Sequence, residues 1–148
     1  MRRATILASA AALAIGALAM GAVGAAAETI VKKKVFETTV SAAFTQTTPA
    51  GGEYVNPSGR FDGKVSSPKK KCVKNRTVVV KPPTGPNVGQ STSNDAGDWT
   101  VQGNNLTPGQ YRVEVEKNKI IKEKEKPNGT HVKKKIKCQP VTATITIP

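Results

Sequence analysis

Residues 91–116 read STSNDAGDWTVQGNNLTPGQYRVEVE, and their spacing decides the fold class. Trp99 and Val101 fall on one side of an extended segment. Tyr111, Val113 and Val115 fall on one side of another, with Arg112, Glu114 and Glu116 opposite. That alternation is the mark of strands with one face in a core and one in water. Asn94, Asp95 and Gly97, between VGQSTS and DWTVQ, offer the positive φ and local side-chain bonds of a hairpin turn. Leu106 follows as a buried plug, and Pro108 and Gly109 suit the centre of a type II turn before Tyr111 opens the next strand. The stretch predicts the corner of a β-sandwich, and no catalytic group is needed to account for it.

The same pattern continues outward. RFDGKVS (60–66) places Phe61, Gly63 and Val65 on one face, RTVVVK (76–81) is β-branched throughout, and TATITI (142–147) aligns Ala143, Ile145 and Ile147. Proline and glycine recur so often that only short runs remain, which suits strands and not helices. Residues 28–58 are less regular: VFETTVSAAF (35–44) can supply an edge strand, and TQTTPAGGEYVNPSG (45–59) reads as a linker. The expectation is an all-β protein, an antiparallel β-sandwich of about seven strands over residues 59–148.

The chain opens MRRATILASAAALAIGALAMGAVGAAAE. Arg2 and Arg3 precede an apolar run that closes on Ala25-Ala26-Ala27, the arrangement of a secretory signal peptide, 1–27, cleaved after Ala27. The run is also long enough for an uncleaved anchor, but its small residues sit where a stop-transfer flank belongs. The alanine-rich leader reads as bacterial. The mature chain is then exported, with no transmembrane segment of its own. Its oligomeric state is open.

The full chain carries a formal charge of +13, and loss of the two leader arginines leaves +11. Such an excess attracts polyanions in general: cell-wall polymers, lipid head groups, sulfated sugars or nucleic acid. Cys72 and Cys138 are the two cysteines, and in an oxidising compartment the simplest inference is one disulfide between them.

Gly63-Lys64-Val65, the branched strand RTVVV, the hairpin SNDAGDW and the run Pro108 to Tyr111 together resemble carboxypeptidase regulatory-like and collagen-adhesin B-type domains. The resemblance covers about residues 60–116. It implies a prealbumin-like β-sandwich and the role of a non-catalytic module on enzymes or surface proteins. No catalytic domain is read here. The Lys–Asn cross-link of some adhesin-type domains finds no residue-by-residue match.

The segment NKIIKEKEKPNGTHVKKKIKC, residues 118–138, reads as a protruding basic hairpin. With Asn128-Gly129 as a two-residue type I′ loop, Ile121 faces Ile136, Glu123 faces Lys134 and Glu125 faces Val132. The other face then sets Lys122 opposite Lys135, Lys124 opposite Lys133 and Lys126 opposite His131, with Lys137 nearby. A face of like charges weakens a ladder unless it is solvated or covered by a polyanion. These six lysines, Lys122, Lys124, Lys126, Lys133, Lys135 and Lys137, are the candidate polyanion site. Lysines also blunt strand edges against aggregation, so a solvated face with no ligand stands beside that reading. Without interleaved aromatics or arginine forks, sequence-specific nucleic acid is not expected, and any binding should be diffuse and salt-dependent. VKKKV (31–35) and PKKKC (68–72) add two more basic clusters.

Nothing assembles a catalyst. His131 is the only histidine, and no HExxH, GxSxG or phosphate-loop motif occurs. Asp95 and Asp98 fit turn chemistry better than a calcium loop. Asn75, Asn105 and Asn128 begin N-glycosylation acceptor patterns, which a bacterial leader makes coincidental. The expected function is a secreted, non-enzymatic module of the cell envelope or extracellular space, without cofactor or metal, whose partners are anionic envelope polymers. The alternative is a structural protein that assembles through strand edges.

Overall fold

A computed structural model describes residues 27–47 and 56–148. The expected signal peptide falls almost wholly outside the described residues, as does part of the expected linker. Ten strands are described: β1 (Thr29–Phe36), β2 (Thr39–Gln46), β3 (Gly59–Ser66), β4 (Thr77–Lys81), β5 (Gly89–Thr92), β6 (Asp98–Gly103), β7 (Gly109–Val115), β8 (Asn118–Glu125), β9 (His131–Cys138) and β10 (Val141–Ile147). A single 3-10 turn, Lys70–Cys72, is the helix among the described residues. The protein is all-β.

The strands form three sheets, ordered β10-β7-β4-β5, β2-β3-β6 and β1-β9-β8. The first two are antiparallel throughout and share one core. Phe61 and Val65 of β3, Trp99 and Val101 of β6, Val78 and Val80 of β4, and Tyr111, Val113 and Val115 of β7 meet in a single buried cluster with Leu106 and Ile147. These are the residues that the period-2 pattern assigns to the inside. Burying each contributes about 1.5–3 kcal/mol against the entropy of ordering the chain. Phe61 joins the layers, its ring centroid 5.0 Å from Phe44 and 5.4 Å from Tyr111.

At the corner, the expected hairpin turn closes on Asn94 and Asp98: Asn94 N–H donates to the Asp98 carbonyl (2.9 Å) and Gly97 N–H to the Asn94 carbonyl (3.0 Å), while β5 and β6 beyond it belong to different sheets. Asn94 Oδ1 accepts from the backbone N–H groups of Ala96 (2.9 Å) and Asp98 (2.8 Å). Of the three turn residues, only Gly97 takes positive φ, at +91°. Gly109 (φ +145°) opens β7, and the Tyr111 hydroxyl donates to the Thr107 carbonyl at 2.8 Å, a tyrosine corner. Gly97 also abuts β3: a side chain there would meet the Val65 carbonyl oxygen and Val73. Gly97→Ala should therefore lower stability by roughly 2–3 kcal/mol, read as a shift in the urea midpoint.

The third sheet departs from an all-antiparallel plan. β1 runs parallel to β9, from Thr29 beside His131 to Phe36 beside Cys138, while β8 pairs antiparallel on the other side. Residues 28–58 thus supply an outer strand to each of two sheets: β1 here and β2 beside β3. Both β1 and β9 run toward the two-layer body and pass into β2 and β10, which touch each other across it.

The pairing within the basic hairpin differs by one residue from the two-residue-loop expectation. Ile120 faces Ile136, Lys122 faces Lys134, Glu123 faces Lys133 and Lys124 faces Val132. Proline explains the slip. A two-residue loop would need Pro127 to donate a backbone N–H that it lacks. Instead Lys126 N–H donates to the Thr130 carbonyl (2.9 Å) and Gly129 N–H to the Lys126 carbonyl (2.9 Å), closing a three-residue loop. Gly129 takes φ +78° and Asn128 keeps negative φ, as in a type I turn followed by a left-handed glycine. A one-residue slip sends side chains to the other face.

Three chain links cross between the body and the third sheet, and the β3–β4 loop is bridged to that sheet by Cys72; Arg76 ties all four segments together. Its side chain is fully buried. Nη1 donates to Thr38 Oγ1 (3.0 Å) and the Cys72 carbonyl (2.8 Å). Nη2 donates to the carbonyls of Glu116 (2.6 Å) and Gln139 (2.9 Å). These four residues stand in the β1–β2 link, the β3–β4 loop, the β7–β8 link and the β9–β10 link. Burial lowers the Arg76 pKa, yet a guanidinium keeps its proton in a protein. Its charge is met here by carbonyl dipoles. Beside it, Cys72 and Cys138 form the expected disulfide, Cα–Cα 5.3 Å, within a small second core of Ile136, Phe36 and Ile120.

Candidate functional site

Strand register sorts the third sheet's side chains into two faces. One bears Cys138 and so faces the disulfide. On it Lys32, Lys134 and Lys122 stand side by side across the three strands. Two residues toward the tip come Ile30, Val132 and Lys124; two toward the body come Lys34, Ile136 and Ile120. Strands lie about 4.8 Å apart and alternate residues about 6.7 Å apart, so the five lysines fall within a patch about 10 Å across the strands and about 13 Å along them.

The β3–β4 loop adds two more. Lys69 and Lys34 share a hollow with Lys134 over Phe36 and Ile136. Lys134 also borders a second hollow with Lys122, Lys124, Lys126 and Val132, and Glu123 stands at its rim. Lys71 lies near Lys122, and that neighbouring amine, with some desolvation and the repulsion of Lys122, Lys69 and Lys74, holds its pKa below the usual lysine range. The three basic clusters of the sequence, VKKKV, PKKKC and the hairpin, therefore meet on one face.

No acidic residue occupies that face in any of the three strands. Glu123 and Glu125 point the other way, where Glu123 pairs with Lys133. A hydrogen bond from Lys133, aided by its charge, keeps the Glu123 carboxyl below the ordinary carboxylate range. Among the described residues, none of the ion pairs includes a lysine of the disulfide face. Uncompensated ammonium groups this close repel one another, and a polyanion laid over them relieves the repulsion.

The six lysines named from sequence are consequently divided. Lys122 and Lys124 stand on the disulfide face, Lys133, Lys135 and Lys137 on the open face, and Lys126 at the turn. Lys134, which the two-residue-loop register opposes to Glu123, is the centre of the patch. Its only sequence signal was the proline before Asn-Gly. Lys32, Lys34, Lys69 and Lys71 were visible as basic runs, but their convergence depends on the parallel pairing of β1 and on the disulfide.

His131 is exposed, next to the turn. Asp95 and Asp98 stay with the corner, paired with Lys74 (3.2 Å) and Lys64 (3.7 Å). Among the described residues no cluster of three or more His, Cys, Asp or Glu side chains is placed to hold a metal, and no helix is long and apolar enough to cross a membrane. Comparison with protein-family models, curated proteins and solved structures finds no match to this chain.

Proposed function

We propose that this chain is a secreted, non-catalytic β-sandwich module of the cell envelope or extracellular space that binds anionic polymers through the disulfide face of its third sheet. The observation that carries the reading is the meeting of three separate lysine clusters on a face to which strand register assigns no acidic position, with Glu123, at the rim of one hollow, held by Lys133. The leader with its Ala-x-Ala end and the disulfide support export. The two sheets around one core, four strands against three, support the prealbumin-like sandwich suggested by the Gly63–Tyr111 motifs. Lysine point charges without arginine forks favour a flexible polymer of spaced anions over a planar, specifically read ligand.

Neutralising Lys32, Lys122 and Lys134 together to glutamine tests the site. Elution from heparin or polyphosphate resin should move to clearly lower salt, and the slope of log affinity against log salt should fall by about 2, near 0.7–0.9 per lost contact. The matched change of Lys133, Lys135 and Lys137 should matter far less. Equal effects from both triplets would mean that net charge alone binds, and the face would lose its role. Assembly through strand edges, the competing reading, predicts concentration-dependent oligomers that persist in high salt. The lysines of β1 and β8, the outer strands of this sheet, work against it.

A further inference from the structure

The described residues expose three large apolar side chains, Val31 (45%), Val35 (54%) and Ile121 (46%). Strand register places all three on the open face of the third sheet, away from the disulfide. Val31 and Val35 are separated along β1 by about 13 Å, and Ile121 stands two strands away, about 10 Å across. Single exposed aliphatics scattered over a surface need no explanation. Confinement of all three to one face of one sheet does.

Their neighbours choose the occupant. Lys33 and Lys135 share a row with Ile121, Lys137 and Lys119 share the next with Val35, and Lys133 stands beside Val31. A second copy of this chain would bring the same lysines, setting like charges against each other. An anionic bilayer surface supplies both counterparts at once. Aliphatic tips enter the boundary between head groups and acyl chains, while lysine stems reach back to lipid phosphates. At the foot of the face, Lys117, Lys119 and Lys137 surround a hollow that Val35 also lines, a place for a head group. The carboxylates of this face lie toward the tip on β8, and Glu123 is already held by Lys133.

We propose that the open face of the third sheet docks on anionic lipid surfaces, with Val31, Val35 and Ile121 at the head-group boundary. The disulfide face then points away from the bilayer, free to hold a polymer. The two sites are separate, so one can fail without the other.

The test uses flotation with vesicles of phosphatidylglycerol and phosphatidylcholine in equal parts, against phosphatidylcholine alone. Ile121→Trp serves as a reporter, because Trp99 is buried and its emission is a constant background. Capture should require phosphatidylglycerol, and the reporter's emission should shift to the blue on capture. Val31→Ser, Val35→Ser and Ile121→Ser combined should weaken partitioning by about tenfold or more while heparin elution stays unchanged. Three outcomes overturn the proposal. The serine variant binds vesicles as well as the parent. The reporter's emission stays put on captured protein, so that lipid is merely another polyanion on the disulfide face. Or the serine changes abolish a dimer of the parent, making a second copy the occupant.

Discussion

Arg76→Met should lower the stability of the protein by about 3–5 kcal/mol, a large part of the 5–15 kcal/mol that ordinary domains possess. Methionine fills much of the space but donates nothing. Thr38 Oγ1 and the carbonyls of Cys72, Glu116 and Gln139 would each lose the donor they now have. Removing a buried cation recovers its desolvation cost, which keeps the estimate below the sum of four orphaned acceptors. The loss should also be local in the first instance. Amide exchange should quicken across β1, β8 and β9 while β4 and β7, in the main core, remain protected until global unfolding. Arg76→Lys retains the charge but cannot fork to four acceptors, and should fall between the two. A urea midpoint within experimental error of the parent would show that the three links and the β3–β4 loop hold one another without the guanidinium.

Removal of the disulfide, by Cys72→Ala with Cys138→Ala, should cost about 4 kcal/mol in the chain-entropy model, since the bridge spans 66 residues. The loss bears on function as well as on stability. Cys72 anchors the loop that carries Lys69 and Lys71 against the third sheet, and it is one of three fully enclosed members of a small core. Without it the loop leaves the face, and retention on heparin should drop along with the melting temperature. Because Arg76 Nη1 donates to the Cys72 carbonyl, the arginine and cysteine changes share a partner and should be clearly non-additive in a double-mutant cycle. Additive effects, or unchanged heparin retention after reduction, would separate the loop from the binding face.

The fold class was legible because its signal is local. Alternation in RFDGKVS, DWTVQ, YRVEVE and TATITI assigns Phe61, Val65, Trp99, Val101, Tyr111, Val113 and Ile147 to the core one strand at a time, and the structure buries each of them. The disulfide was legible by arithmetic, two cysteines and one bridge. The basic site was legible only as composition. Its lysines could be counted, but the faces they occupy follow from hydrogen bonds that local pattern does not specify.

Two small facts made that difference. Pro127 has no N–H, so the hairpin closes on Lys126 and Thr130 and the whole ladder moves by one residue. Residues 29–36 look like a solvated basic run, yet they pair in parallel with β9, a contact across about a hundred residues of chain. Arg76 carries the same lesson: next to the β-branched run TVVV it reads as an ordinary flanking charge, while in the fold it holds three links and its own loop at one point. By itself the sequence determined which side chains of the main-core strands avoid water, because that choice depends on neighbours two residues apart; in the third sheet Val31, Val35 and Ile121 stay exposed. The tertiary structure alone decided which lysines share a surface, because register and strand order are set by long-range hydrogen bonding and by the bridge between Cys72 and Cys138.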